Sequence, residues 1–261
     1  MSTVVFLHAH PDDESIATGG SIARAVDEGH RVVLVMATDG RHGEKPDDLA
    51  DESLVDRRRR ETQASAGTLG VEDVRWLGYH DSGMTGWPQN DEPGAFMRAD
   101  IDDASARLAD ILDEVAADVL VCYDWHGGYG HPDHIQVHRV GHRAAGVCAQ
   151  RGRVVRLLES TMNRTRLTKM MSENPGNEEF DPDQPADDGN PFGSTEDEIT
   201  MAVDVSPYVE TKRASIACHR SQITDSSFFL QMPPEVFAMA FGTEWFIEPG
   251  EPGGARPGWF L

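Results

Sequence analysis

Short apolar runs alternate with helix-patterned segments along this chain, and that alternation limits the fold more than any other feature. Val4–His8 reads as a buried strand, and Ser15–Glu28 as a helix closed by Gly29, because glycine takes the left-handed position past a helix end without steric cost. Arg31–Ala37 reads as a second strand, Leu54–Leu69 as a helix ending at Gly70, and Asp73–Gly78 as a third strand. Ile101–Ala116 carries apolar residues at 101, 108, 111, 112 and 115, one face of a helix of period 3.6. Asp118–Tyr123 is a fourth strand, a helix follows from about 134 to 149, and Val154–Leu158 is a fifth strand. Ile199–Val205 leads into a helix over Pro207–His219. Strands separated by helices join as crossovers, which makes the sheet parallel and covers both of its faces. The expected fold is therefore α/β: a Rossmann-like, mostly parallel sheet with helices on both faces and its site at the carboxyl ends of the strands. All 261 residues are expected to form a single domain. Within it, residues 173–198, dominated by Glu, Asp, Pro, Gly and Asn, form an acidic flexible insertion, and the Pro- and Gly-rich tail 248–261 is irregular.

Charge and composition remove several classes of function. Twenty-three basic residues against 45 acidic ones leave a net charge of −22, a field that repels phosphate backbones, so no nucleic acid is expected as a partner. The basic run Arg57–Arg60 is flanked by Asp56 and Glu61. The longest apolar runs, Val4–Leu7 and Val32–Ala37, fall far short of the roughly 18 residues that span a bilayer. The start of the chain lacks the basic and small-residue signals of secretion, and the expected location is cytoplasmic, without a membrane partner. Cys122, Cys148 and Cys218 are widely spaced with no CxxC pair, so neither a disulfide framework nor a cysteine zinc site is indicated. The oligomeric state stays open, a homo-oligomer included.

Position carries the chemistry. The first strand runs into His8-Ala9-His10-Pro11-Asp12-Asp13-Glu14, the second ends at Thr38-Asp39-Gly40, and the third at Tyr79-His80-Asp81-Ser82-Gly83. The fourth ends at Tyr123-Asp124-Trp125-His126-Gly127-Gly128-Tyr129-Gly130-His131-Pro132-Asp133-His134. In a parallel sheet all four segments converge on one edge. Imidazole and carboxylate suit zinc, and a catalytic zinc keeps three protein ligands and an open position. His10 and Asp13 can point at one place across a proline turn, with His131, Asp133 or His134 supplying a third ligand. Adjacent Asp12 and Asp13 diverge, so one can hold metal while the other serves as a base. A lone HPD turn could equally be a helix N-cap, and His8 reads as a structural partner. A nucleotide-binding domain on the same fold is disfavoured, because the first turn lacks GxGxxG.

These residues resemble a known family. His10-Pro11-Asp12-Asp13-Glu14 together with Gly128-Tyr129-Gly130-His131-Pro132-Asp133-His134 closely resembles the LmbE/PIG-L family of metal-dependent N-deacetylases. The likeness continues through Arg58-Arg59-Arg60-Glu61, Asp81-Ser82-Gly83-Met84 and Lys212 to Gln222, and is strongest with the actinobacterial mycothiol deacetylase and mycothiol S-conjugate amidase branch. The resemblance implies His10, Asp13 and His134 as ligands of one Zn2+, with Fe2+ as an alternative. It implies Asp12 as general base, Tyr129 polarising the amide carbonyl, His131 stabilising the oxyanion or protonating the leaving amine, and Arg58 and Asp81 contacting the sugar. Asp133 would orient a site histidine from behind. The expected activity is removal of the N-acetyl group from an N-acetylglucosamine-type conjugate, a small molecule. The alternative is an amidase cleaving a larger acyl group, such as that of a mycothiol S-conjugate.

Overall fold

The computed structural model describes residues 1–173 and 181–261. Strand β1 (Thr3–His8), helix α1 (Asp13–Asp27), β2 (Arg31–Thr38), α2 (Leu54–Leu69), β3 (Asp73–Tyr79), α3 (Ile101–Glu114), β4 (Val119–Tyr123) and α4 (Pro132–Gln150) follow in strict alternation. Then come β5 (Arg156–Thr161), α5 (Arg164–Glu173), β6 (Met201–Asp204), α6 (Val209–Ile216), α7 (Phe228–Gln231), α8 (Pro234–Phe241), β7 (Thr243–Ile247) and β8 (Arg256–Pro257). Local chemistry sets several boundaries. Ser53 caps α2 by accepting from the Asp56 N–H, and Gly70 ends it in the left-handed region at φ 80°. Asp100 caps α3 in the same manner.

The described strands form one sheet in the order β3-β2-β1-β4-β5-β7-β6-β8. β1 pairs in parallel with both β2 and β4, and β2–β3 and β4–β5 are parallel as well. β7 runs antiparallel to both β5 and β6, so the far edge is mixed. Successive side chains of a strand point to opposite faces, which divides β1 between two cores. Val5 and Leu7 pack with Leu108 and Leu112 of α3 and Val137 and Val140 of α4. Val4 and Phe6 pack on the other face with Ile22 of α1 and Ala66 and Leu69 of α2. Burial on both faces is why β1 and β2 read as continuous apolar runs rather than alternating ones.

Three expectations shift. β5 lies at 156–161 rather than 154–158, because its register with β4 pairs Arg156 with Val119 and Ser160 with Tyr123. The helix expected over 207–219 divides into a tight turn at 206–208 and α6, which stops at Ile216 and leaves His219 in the turn beyond. The tail adds β8 to the sheet and buries Phe260 against Phe6 and Phe246, so apolar residues among the glycines and prolines draw it into the core. Residues 174–180 of the acidic stretch lie outside the described residues. Among the described residues no helix is long and apolar enough to cross a membrane.

Candidate metal centre and catalytic site

The strand order reverses at β1, whose neighbours lead away in opposite directions, and open α/β sheets place their ligand crevice outside such a point. The loops leaving β1 and β4 meet there. In the first, Asp12 sits at φ 108°, a strained conformation for a side-chain-bearing residue that must be held by its surroundings. The side chain of Asp12 makes no capping bond to α1, so it does not serve as the helix N-cap. Its backbone N–H donates to Glu14 Oε2 at 3.0 Å. Buried Arg58 donates from Nη2 to the Pro11 carbonyl at 2.5 Å and to Asp12 Oδ2 at 3.2 Å, and from Nη1 to the Gly40 carbonyl at 2.7 Å. A Cβ at Gly40, itself at φ +62°, would lie 2.5 Å from Arg58 Nη1, so the arginine needs glycine there.

Asp13 begins α1, and its Oδ2 lies 3.4 Å from His10 Nδ1 and 3.3 Å from His134 Nε2. Ligands of a tetrahedral ion at about 2.1 Å stand about 3.4 Å apart, so these separations suit a common cation. The outer nitrogens are already committed. His134 Nδ1 donates to the Gly127 carbonyl at 3.0 Å, and His10 Nε2 donates to Asp133 Oδ2 at 3.1 Å. Asp133 in turn accepts from the Ser82 N–H at 2.8 Å and from its hydroxyl. Such bonds from behind fix the tautomer and turn the remaining lone pair inward. Nε2 of His134 is buried without a hydrogen-bond partner, an orphan that a metal ion would satisfy. The nitrogens of His10, His131 and His134 also lie within 4.8 Å of one another. His131, however, uses Nδ1 to accept from the Asp133 N–H at the start of α4. Asp13 Oδ2, close to both other histidines, offers an alternative third ligand atom.

Electrostatics separate the two neighbouring aspartates. Burial raises the Asp12 carboxyl to about 6 against the downward pull of Arg58, with Asp13 adding to the rise. Asp13 is equally buried, yet His134 and His10 hold it well below the usual carboxylate range. Burial, with His10 and His134 beside it, pushes His131 far down and keeps it neutral. Burial also pushes the Tyr129 hydroxyl up, so it stays protonated. Asp81 is buried behind His10, 3.5 Å from its Nε2, and accepts from the Gly83 and His42 N–H groups. His8 is fully paired, with Tyr123 on Nδ1 and Thr18 on Nε2, both at 2.9 Å.

The second loop is held from two directions. Asp124 accepts from the His126 and Gly128 N–H groups and from the Thr161 hydroxyl. From the acidic stretch, the Asp187 N–H donates to the Tyr129 carbonyl at 2.9 Å and Gly193 to the Gly128 carbonyl at 2.6 Å. Phe192 stacks on Tyr129 at 6.2 Å between centroids. Beside the cluster opens a cavity of about 220 Å³, lined by Asp13, Tyr129 and His134 together with Met162, Phe241 and Trp245.

Sequence reasoning thus named the residues that meet here, but missed what holds them. Asp124, Ser82 and Phe192 carry no chemical signal of their own. Glu14 and His219 do: the resemblance spans both, yet assigns neither a part. In the structure His219 Nε2 meets Glu14 Oε1 at 2.7 Å. Arg58, which the resemblance assigns to the sugar, spends Nη2 on the turn that carries Asp12 and Nη1 on the Gly40 carbonyl after β2.

Comparison with known proteins identifies the family. Residues 5–145 match the family model described as PIG-L: GlcNAc-PI de-N-acetylase. A 1D-myo-inositol 2-acetamido-2-deoxy-alpha-D-glucopyranoside deacetylase of Thermomonospora curvata is 36% identical over 268 residues, covering 93% of this chain and 89% of that protein. Among solved structures, the N,N'-diacetylchitobiose deacetylase of Pyrococcus horikoshii superposes with a TM-score of 0.58 at 24% identity, over 91% of this chain and 75% of that one. GalB of Pseudomonas putida, a 4-carboxy-2-hydroxymuconate hydratase, gives 0.63 at 18% identity over the whole of both chains. A shared fold that includes a hydratase says nothing about the reaction by itself.

Proposed function

This chain belongs to the PIG-L family of de-N-acetylases, and from that premise we propose that it hydrolyses the acetamide of a glucosamine-type sugar joined to a polyol. The named substrate of its relatives, 1D-myo-inositol 2-acetamido-2-deoxy-alpha-D-glucopyranoside, is the model compound. The observation that carries the reading is the divergence of the adjacent aspartates: Asp13 Oδ2 stands 3.4 Å from His10 Nδ1 and 3.3 Å from His134 Nε2, while Asp12 turns away to Arg58 at 3.2 Å.

His10, Asp13 and His134 would hold a divalent ion, zinc or ferrous iron. Such an ion acidifies water and polarises the acyl carbonyl. Asp12 takes the proton from the attacking water, a task suited to a base whose carboxyl titrates near the operating pH. Arg58 positions Asp12 for this. The Tyr129 hydroxyl donates to the acyl oxygen as negative charge develops there. His131 is neutral with Nδ1 occupied as an acceptor, so its proton resides on Nε2, which donates a hydrogen bond to the developing oxyanion, while the proton that Asp12 took from water passes to the departing nitrogen. The C–N bond breaks, and acetate and the free amine leave. The net charge of −22 favours a neutral sugar over a phosphorylated one at the cleft.

The test is acetate release by the zinc-loaded enzyme from the inositol glycoside and from free N-acetylglucosamine. We expect turnover of the glycoside. Absence of acetate from either, with at least one zinc per chain confirmed by elemental analysis, would refute the proposal.

A further inference from the structure

Away from the candidate active site, α4 and β5 bring two more histidines and a glutamate together. His138 and His142 stand four residues apart on α4, so they share a face, and their ring centroids lie 4.2 Å apart. Glu159 of β5 reaches up to both, with Oε1 2.6 Å from His142 Nε2 and 3.4 Å from His138 Nδ1. One ligand atom from each of the three residues falls within a span of 4.8 Å. From this we infer a second transition-metal site, formed by His138, His142 and Glu159.

Three features favour a cation over a simple ion pair. First, two histidines at i and i+4 on one helix are the spacing by which helical zinc motifs present a pair of imidazoles, and two histidines with one glutamate make a known catalytic zinc set. Second, His138 Nδ1 lies 3.1 Å from the Tyr123 carbonyl. Donation there commits Nδ1, whose 3.4 Å approach to Glu159 is then a contact of the donor side, and leaves Nε2 as the lone pair open to a cation, the same device seen at His134. Third, two imidazoles this close repel when both are protonated, and one carboxylate oxygen cannot serve both well. Burial and the neighbouring His142 lower the His138 pKa, so it is neutral and able to ligate at neutral pH. Access is open, since the side chains of His138 and His142 are 21% and 35% exposed.

The donor set selects zinc, cobalt, nickel or copper over calcium or magnesium. With only three protein ligands and partial exposure, the site should bind more weakly than the buried cluster. An ion there would clip α4, which carries His134, to β5. This inference stands apart from the proposed deacetylation, because none of its residues belongs to that machinery.

The experiment titrates the chelator-stripped full chain with Co2+, reading the visible d–d absorption, and with Zn2+, reading heat. Wild type should bind two ions, one tightly and one more weakly. His142→Ala and His142→Gln should each lose the weaker event, with affinity at least about tenfold lower, since even an outer partner of a ligand contributes about 10–100-fold. Both should keep the tight ion. His134→Ala should behave conversely, losing the tight event and keeping the weak one, so failure at either site is read separately. A single ion per wild-type chain at millimolar metal, or a weaker event unchanged in both His142 variants, would overturn the inference.

Discussion

Replacing Arg58 with methionine isolates what a buried cation does for Asp12. The guanidinium Nη2 lies 3.2 Å from Asp12 Oδ2 and opposes the rise that burial imposes on that carboxyl, which still reaches about 6. Opposite charges about 4 Å apart at an effective dielectric of about 20 interact by about 4 kcal/mol, and an arginine beside an aspartate lowers its pKa by about 1–3 units. Taking two units, removal of the charge carries the carboxyl from about 6 to about 8. The ionised fraction at pH 7 then falls from about 0.9 to about 0.1. The proposed base must be ionised to accept a proton, so kcat/KM at pH 7 drops about tenfold, with most of the loss regained near pH 9. A bound cation pulls both enzymes' acidic limbs downward, so the difference between them carries the test. The assay is the pH profile of kcat/KM, with metal content and melting temperature checked on each variant. Arg58→Lys, which keeps the charge but not the fork, should retain a limb near that of the wild type. A loss in Arg58→Met that stays constant from pH 6 to 9 would refute the electrostatic account and return Arg58 to a shaping or substrate-contacting part.

Asp12→Asn should retain its metal and lose about 10²–10⁴ in kcat, whereas Asp13→Asn should lose metal first; elemental analysis beside turnover separates them. At Gly127 a Cβ would fall 2.1 Å from His134 Cβ, and φ is +65°. Gly127→Ala should therefore destabilise by about 2 kcal/mol or more and weaken metal retention, read by denaturant melts and by metal analysis. Glu14 is held down from 4.5 to about 2, chiefly by His219 working against burial. A depressed acid contributes stability that is present above its unfolded value and lost as pH falls through the folded one. Glu14→Gln should thus flatten the fall in melting temperature between pH 4.5 and 2, by an amount corresponding to about 3 kcal/mol; an unchanged slope would refute the pairing.

The parallel half of the fold was legible because each of its signals is local. β1 and β2 are buried on both faces and so are apolar without interruption, and α2 announces itself by Ser53 before it and Gly70 after it. The antiparallel half gave weaker signals. β7 alternates half-buried and buried residues over five positions, and β8 is two residues long. Both owe their pairing to partners distant in sequence, and no short window records that. The same division runs through the site. His10, Asp13 and His134 declare their chemistry by type and by following a strand.

The supports that give those residues their properties act across the fold, and composition cannot show them. Asp12 and Asp13 are neighbours of identical type, and the sequence left open which was ligand and which was base. Three-dimensional placement gives them different surroundings: the helix start turns Asp13 toward two imidazoles, while Asp12, at a positive φ, lies against Arg58, 46 positions away. That φ is sustained by Glu14 on the Asp12 N–H, by Arg58 on the preceding carbonyl, and by His219 fixing Glu14 from 205 positions along the chain. A strained base needs such bracing, because relaxation of the turn would swing the carboxylate out of place at a gain of about 1–3 kcal/mol. The residues that make the reaction possible in this reading therefore include several that touch neither substrate nor metal, and their bonds to the Asp12 turn are what distinguish them from ordinary buried polar groups.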